Sequence, residues 1–227
     1  MASRRAAEEL VKEGRVTVDG ALAHLGQKVD VATARVSVDG IPLPVRPDLV
    51  YRLLNKPAGV VSTADDPQGR RTVVDLVEAP TRVYPVGRLD ADSEGLLVVT
   101  NDGDLTERMT HPRYGVTKTY LARVGGVPSR TALRALVDGV ELDDGPASAV
   151  SARVLDTHGG EALVEIVMIE GRNREVRRMC DVIGHPVLRL VRTAIGPLRD
   201  RDLKPGEWRD LTVDEVRGLY AAAGVSD

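Results

Sequence analysis

The feature that most narrows what this chain can fold into is Leu96-Leu97-Val98-Val99, an uninterrupted branched apolar run that follows a polar, tightly turned segment. Such a run reads as a central β-strand, and it falls far short of the roughly 20 apolar residues a membrane-spanning helix needs. A buried strand fixes in space whatever precedes it. What precedes it is Gly87-Arg88-Leu89-Asp90-Ala91-Asp92-Ser93-Glu94-Gly95, in which a glycine turn, an arginine and a carboxylate succeed one another closely. That is how a sequence holds one charge at a sheet edge, and it makes Asp90 a candidate for a working acid. The residues alone leave two other readings open. Arg88 and Asp90 can form an ordinary surface ion pair. Asp90, Asp92 and Glu94 can surround a magnesium ion, although they lack the glycine pattern of a dedicated calcium loop.

With 227 residues, the chain has room for one full core and a small accessory module. Arg4 to Glu13 reads as a short helix ended by Gly14. Arg15-Val16-Thr17-Val18-Asp19-Gly20 is echoed by Arg35-Val36-Ser37-Val38-Asp39-Gly40, a strand running into an Asp-Gly turn each time. Residues 1–45 are therefore expected to form a compact αβ module. Ile41 to Pro47 holds Pro42, Pro44 and Pro47, a stiff connector that places the domain boundary there and assigns 46–227 to a second domain. From Leu49 onward, strands are expected at 49–54, 96–99, 117–124, 149–156, 161–168 and 187–193, with helices at 102–109, 129–137 and 172–183. Many of the strands are joined by turns too short for a crossover helix. The expected class is α+β, with a mixed, largely antiparallel sheet flanked by helices.

Composition excludes several functions. A chain with 42% hydrophobic and 29% charged residues is neither disordered nor membrane-embedded. Met1-Ala2-Ser3-Arg4-Arg5 runs into charged helical sequence with no apolar secretory segment, so a cytoplasmic location is expected. Cys180 has no second thiol, and His24, His111, His158 and His185 are scattered, so no metal is expected. A net charge of -3 argues against nucleic-acid binding by bulk charge, but charge is unevenly placed. Met168 to Arg192 carries six arginines against three acids, giving a basic face on a slightly acidic protein.

Two further segments carry chemistry. In Glu170-Gly171-Arg172-Asn173-Arg174-Glu175-Val176-Arg177-Arg178-Met179, a helix from Asn173 would turn Val176, Met179, Cys180 and Ile183 to the sheet. Arg174 and Arg178 would share another face, with Arg177 beside the buried stripe. Guanidinium groups pair with phosphates and carboxylates alike, so this helix can position an RNA backbone and hold Asp90 ionised. The bland alternative is a solvated charged helix, which the shortage of nearby acids disfavours. In Thr117-Lys118-Thr119-Tyr120-Leu121-Ala122, Lys118 and Tyr120 share a face of an alternating strand. The chain has no phenylalanine, one tryptophan and five tyrosines. Tyr120 can fill a core with its hydroxyl at the rim, or stack on a base taken out of its helix.

These segments, with Leu54-Asn55-Lys56-Pro57-Ala58-Gly59 upstream, resemble the bacterial ribosomal RNA pseudouridine synthases of the Rsu family, nearest its type-B synthases of large-subunit RNA, over essentially the whole chain. Residues 1 to about 45 resemble the alpha-L RNA-binding domain, with Ser3-Arg4-Arg5 standing where its second helix would open, so that the module would lack its first helix. The resemblance implies a base-flipping isomerisation of uridine to pseudouridine in ribosomal RNA, most closely the large-subunit (23S) RNA, with no cofactor or metal. It implies Asp90 as the catalytic carboxylate, Arg177 as its ion-pair partner, Tyr120 as the stacking residue and Leu190 as packing beneath the base. Arg88 would fill the gap left by the flipped nucleotide or contact its phosphate. Lys56, Lys118, Arg172, Arg174 and Arg178 would lie on the RNA side, together with Arg4 and Arg5 of the module. No second protein chain is called for, and a monomer is expected. Two rivals stand beside this reading: a non-catalytic RNA-binding ribosome-assembly factor, and a glycoside hydrolase using Asp90 with Glu94.

Overall fold

The computed structural model describes residues 4–29, 34–42 and 49–224. Helix α1 (Arg4–Lys12) is followed by β1 (Val16–Val18), β2 (Ala21–Leu22), β3 (Val36–Val38) and β4 (Ile41–Pro42), paired antiparallel in the order β2-β1-β3-β4. The repeated Asp-Gly phrase explains the hairpins. Asp19 and Gly20 have φ of 52° and 84°, and Asp39 and Gly40 have 52° and 71°, the doubly positive geometry that a two-residue hairpin turn demands and that Asp-Gly tolerates. The Nε of Arg15 donates to Asp39 Oδ1 at 2.7 Å, tying β1 to the second turn. The proline-rich connector expected over 41–47 falls, beyond β4, outside the described residues.

The larger sheet begins with β5 (Tyr51–Lys56), β6 (Tyr84–Pro85) and β7 (Glu94–Thr100), followed by α2 (Gly103–Thr110), β8 (Lys118–Gly125) and α3 (Arg130–Asp138). A hairpin of β9 (Val140–Leu142) and β10 (Gly145–Ala147) leads to β11 (Ser151–His158) and β12 (Glu161–Met168). The chain ends with α4 (Glu175–Val182), β13 (Val187–Ile195), β14 (Leu198–Arg199), β15 (Trp208–Asp210) and α5 (Val213–Ala222). Strand order is β11-β12-β8-β13-β7-β5-β15, with β14 beside β13 and β6 beside β7. Every pairing in it is antiparallel except β13 with β7. This is the α+β class, and β7 is as central as its apolar run requires, with Gly95 to Thr100 all buried.

Apolar side chains of the sheet gather into separate cores. Ala122, Val124, Val164 and Ile166 pack with Val176, Met179 and Cys180 of α4. Leu53 and Val98 pack with Leu105 and Met109 of α2 and with Leu219 and Tyr220 of α5. One glycine is indispensable to this arrangement. A Cβ on Gly95 would stand 2.2 Å from the carbonyl oxygen of Arg192, and its φ is +109°; only glycine lets β13 close against β7 there.

The structure corrects some element boundaries. Helix α4 starts at Glu175, not near Asn173, because Arg174 adopts a left-handed conformation with φ of 48° and ψ of 30°. The acidic stretch 138–146 is largely the β9–β10 hairpin. Among the described residues no helix is long and apolar enough to cross a membrane.

Candidate active site

The segment before β7 is pinned from three sides. The Ser62 hydroxyl donates to the Leu89 carbonyl at 2.8 Å and accepts from the Leu89 N–H at 3.1 Å. Lys56, the last residue of β5, is fully buried, and its ammonium donates to the carbonyls of Ser93 at 2.7 Å, Pro57 at 3.0 Å and Ala91 at 3.3 Å. Burial pushes the Lys56 pKa down to about 8, while the charges of Asp92, Asp90 and Glu94 pull the other way. Arg177, buried on α4, donates through Nη2 to the Asp92 carbonyl and the Ser93 hydroxyl, both at 3.3 Å. The loop carrying Asp90 is thus held through its own backbone.

Asp90 faces a cleft lined by Arg88, Tyr120, Met168, Val176 and Leu190, with the Gly171–Arg174 segment across from it. Its neighbours in sequence are occupied. Both carboxylate oxygens of Asp92 accept from Arg174 at 3.1 Å, and Arg177 stands 3.3 Å from Asp92 Oδ2. Glu94 takes a two-pronged pair from Arg189 at 2.8 Å for each contact, which holds its carboxyl below the usual range. Among the described residues the Asp90 side chain has no hydrogen bond and no ion pair. With Asp92 and Glu94 committed to guanidinium groups, neither a magnesium cluster nor an Asp90–Glu94 hydrolase pair has its second carboxylate free. No group of three or more His, Cys, Asp or Glu side chains among the described residues is arranged as a metal site.

The cleft's other wall comes from β8 and β13. Their register sets Tyr120 opposite Arg192 and Ala122 opposite Leu190, so Lys118 and Tyr120 of one strand and Leu190 and Arg192 of the other share a face. Tyr120 and Leu190 are buried yet both line the cleft. The Tyr120 hydroxyl makes no hydrogen bond among the described residues. Lys118 is half-buried, donates to the Ile169 carbonyl at 2.7 Å, and has its pKa pushed down to about 8 by burial and then by the nearby Arg192.

Several expected roles change. Arg177 pairs with Asp92, not with Asp90, because its guanidinium lies under the Asp92-Ser93 backbone. Lys56 is enclosed and bonded to three carbonyls, so it braces the loop and presents nothing to RNA. Arg172 donates to Glu175 at 3.0 Å, to the Asp144 carboxylate at 3.0 Å and to the Pro146 carbonyl at 2.7 Å, which makes it a clamp on the β9–β10 hairpin. Arg178 takes both oxygens of Asp144, at 2.8 and 3.0 Å, and with Arg172 holds that carboxyl below its ordinary range. The supposed shortage of acids around these arginines is filled from the hairpin and from the Asp90 loop. Arg88 is exposed on the rim and carries no hydrogen bond or ion pair among the described residues. Arg5 is exposed on α1, and the Arg4 side chain lies outside the described residues.

One buried carboxylate escapes the sequence reading. Asp102 caps α2, its Oδ1 accepting from the N–H groups of Asp104 at 3.1 Å and Leu105 at 3.2 Å. Its Oδ2 accepts from the hydroxyls of Tyr51 at 2.7 Å and Tyr220 at 2.6 Å. Burial makes Asp102 a second candidate carboxylate, and its one sequence signal is that of a helix cap at Asn101-Asp102-Gly103. Its four bonds are those of a structural anchor, in contrast to Asp90. Ser62, Ser93 and Arg192 also shape the site, and no local pattern marks them.

Comparison with known proteins agrees with this fold. A family described as RNA pseudouridylate synthase matches residues 50–181. An uncharacterized RNA pseudouridine synthase of Mycobacterium leprae is 48% identical over 230 residues, covering 99% of this chain and 90% of its own. The ribosomal large subunit pseudouridine synthase B of Bacillus subtilis is 43% identical over 98% of this chain and 92% of its own. A crystal structure of a pseudouridylate synthase matches with a TM-score of 0.69 at 28% identity, over 96% of this chain and 94% of that one. These likenesses leave no place for the glycoside hydrolase or the non-catalytic binding factor. The chain belongs to the RNA pseudouridylate synthase family, enzymes that convert uridine in RNA to pseudouridine.

Proposed function

We propose that this enzyme modifies ribosomal RNA of the large subunit and that Asp90 is its catalytic carboxylate. The observation that carries the assignment is the contrast among carboxylates: Asp92, Glu94 and Asp102 are each bonded to protein partners, whereas Asp90 lines the cleft without one. A nucleophile or charge stabiliser must keep its oxygens available and its position fixed, and the braced loop supplies the second requirement. In the reaction the bond between ribose C1′ and uracil N1 breaks, the base turns in place, and C5 bonds to C1′. The proton on C5 leaves and N1 gains one, so the product is an isomer of the substrate. Asp90 supplies the negative charge against which the first bond breaks. Tyr120 stacks on the freed base from the β8 side, Leu190 packs beneath it, and Arg88 occupies the place the base vacates in the RNA.

The choice of large-subunit RNA rests on the similarity to the Bacillus subtilis synthase B over nearly the whole of both chains. In the same reading, residues 1–45 act as an alpha-L RNA-binding module, 46–227 as the catalytic domain, and the enzyme works as a monomer in the cytoplasm. The test is a mass-spectrometric map of pseudouridine in ribosomal RNA from cells lacking the gene, and from the same cells given wild type or Asp90→Asn. One large-subunit site should vanish and return only with wild type. Restoration by Asp90→Asn would remove Asp90 from the chemistry, and a missing small-subunit site would overturn the target.

A further inference from the structure

Beside the Asp90 cleft lies a second cavity of about 160 Å³ that shares Arg88, Tyr120 and Gly171 with it and is not lined by Asp90. Its charged lining residues are Arg88, Lys118 and Arg192, and none of its lining residues is acidic. Arg192 is 5% exposed. Its Nε donates to the Leu96 carbonyl at 2.8 Å, but its Nη2 is buried with no hydrogen-bond partner. A buried guanidinium nitrogen left bare is costly, and setting a second cation beside it adds repulsion.

Two other arginine nitrogens, Nε of Arg177 and Nε of Arg178, are also buried without partners. Their guanidiniums already face Asp92 and Asp144. Among the described residues Arg192 has no carboxylate partner. The backbone also turns locally to aim it: the β8–β13 ladder changes register between Arg192 and Ala194, a bulge of the kind that redirects a side chain beside a functional site. Gly95 lets the Arg192 backbone approach β7 closely.

We infer that the cavity bounded by Arg88, Lys118 and Arg192 is an oxyanion site that takes one phosphodiester of the RNA strand next to the flipped uridine. A cavity of 160 Å³ has the volume of roughly five waters at about 30 Å³ each, ample for a phosphate group. Arg88 reaches both cavities, so the strand can pass from the cleft to the phosphate site over one side chain. Burial and then the nearby Arg192 lower the Lys118 pKa, and the repulsive part is relieved when an anion sits between the two cations. The inference rests on the Asp90 cleft being where the uridine is held.

The test is RNA binding as a function of salt, using a large-subunit RNA fragment with wild type, Lys118→Gln, Arg192→Gln and Asp90→Asn. Each phosphate contact contributes about 0.7–0.9 to the slope of log affinity against log salt. Lys118→Gln and Arg192→Gln should each lower the slope by up to that amount, making affinity up to about threefold less sensitive to a fourfold rise in salt. Lys118 is half-exposed, so its variant tests the site even if Arg192→Gln fails to fold. Unchanged slope in Lys118→Gln overturns the inference. Stabilisation of the wild type by inorganic phosphate that Lys118→Gln abolishes, with no change in RNA slope, would assign the cavity to a free anion and reject the phosphodiester. Asp90→Asn should keep the wild-type slope while losing turnover. Turnover by that variant would reject the catalytic assignment without touching the slopes.

Discussion

Lys56→Met probes the brace under the Asp90 loop and separates its two opposing energies. Methionine keeps most of the buried volume but donates no hydrogen bond, so the carbonyls of Ser93, Pro57 and Ala91 lose their shared donor. A buried acceptor left bare costs about 1–3 kcal/mol. Only the bond to Ser93 is fully buried, whereas those to Pro57 and Ala91 are partly so, which favours the lower half of that range and a gross loss of about 5 kcal/mol. Against this, removing the ammonium relieves its burial. A lysine whose pKa falls from 10.5 to about 8 carries a cost of about 3 kcal/mol at 1.36 kcal/mol per tenfold. The net expectation is a loss of about 2 kcal/mol at pH 7.

The pH dependence of that loss is the sharper test. Because the folded lysine's pKa is lowered, its burial cost is fully present below about pH 8. As pH rises from there toward 10.5, the folded protein sheds the proton first, the cost is relieved, and wild type gains stability relative to Lys56→Met. Lys118 shifts in the same direction but is present in both proteins and cancels in the difference. Urea unfolding at intervals from pH 7 to 10 measures the gap directly. Single-turnover conversion of RNA should fall by about 100-fold in the variant, the effect of a reacting group displaced by about 1 Å. A gap that stays flat with pH, together with wild-type turnover, would refute the assignment of Lys56 as the loop's brace.

Asp102→Asn keeps one acceptor oxygen for the α2 cap and turns its amide NH2 to the Tyr51 and Tyr220 hydroxyls, which must then accept instead of donate, so it should lose about 1–2 kcal/mol by urea unfolding while each folded molecule turns over normally. A well-folded Asp102→Asn that does not turn over would overturn the catalytic role proposed for Asp90. Gly95→Ala forces a Cβ to within 2.2 Å of the Arg192 carbonyl; it should cost more than about 3 kcal/mol, read by thermal unfolding, and a wild-type melting curve would contradict the packing of β13 on β7. Arg88→Ala should weaken RNA binding more than Arg178→Ala, because Arg178 is already neutralised by Asp144 and gains less from a phosphate. Filter binding at two salt concentrations ranks them, and the reverse order would place Arg88 off the RNA path.

What could be read from the sequence was what nearest neighbours encode. The strand over 161–168 appears with those bounds, since its buried side chains alternate strictly, and the β1 and β3 turns follow from Asp-Gly chemistry. Helix α5 has a readable start in the capping box of Thr212 and Glu215, yet the expected elements stop at residue 193. Its packing partners lie on α2 and β7, far away in the chain. The left-handed Arg174 that delays α4 has no local signature either, because a non-glycine residue adopts that conformation only when its surroundings hold it there.

The site shows the same division more sharply. Asp90, Tyr120 and Leu190 reach one cleft because each lies at the end or on one face of a strand whose pattern is legible. The arginines do not behave as their own segment suggests. Counting six arginines against three acids between Met168 and Arg192 leaves out Asp144, which lies 28 residues from Arg172, and Asp92, which lies 82 residues from Arg174. Once folded, the basic helix is largely neutralised by carboxylates delivered from β9–β10 and from the Asp90 loop. Its arginines therefore act first as ties: Arg174 and Arg177 join α4 to the loop that aims Asp90, and Arg172 and Arg178 join it to the hairpin. Among the described residues, the cations around the cleft without a carboxylate ion pair are instead Arg192 on β13, Lys118 on β8 and Arg88 on the rim. A charge count along the chain locates basic sequence, but pairing across the fold decides which positive charges remain for a phosphate.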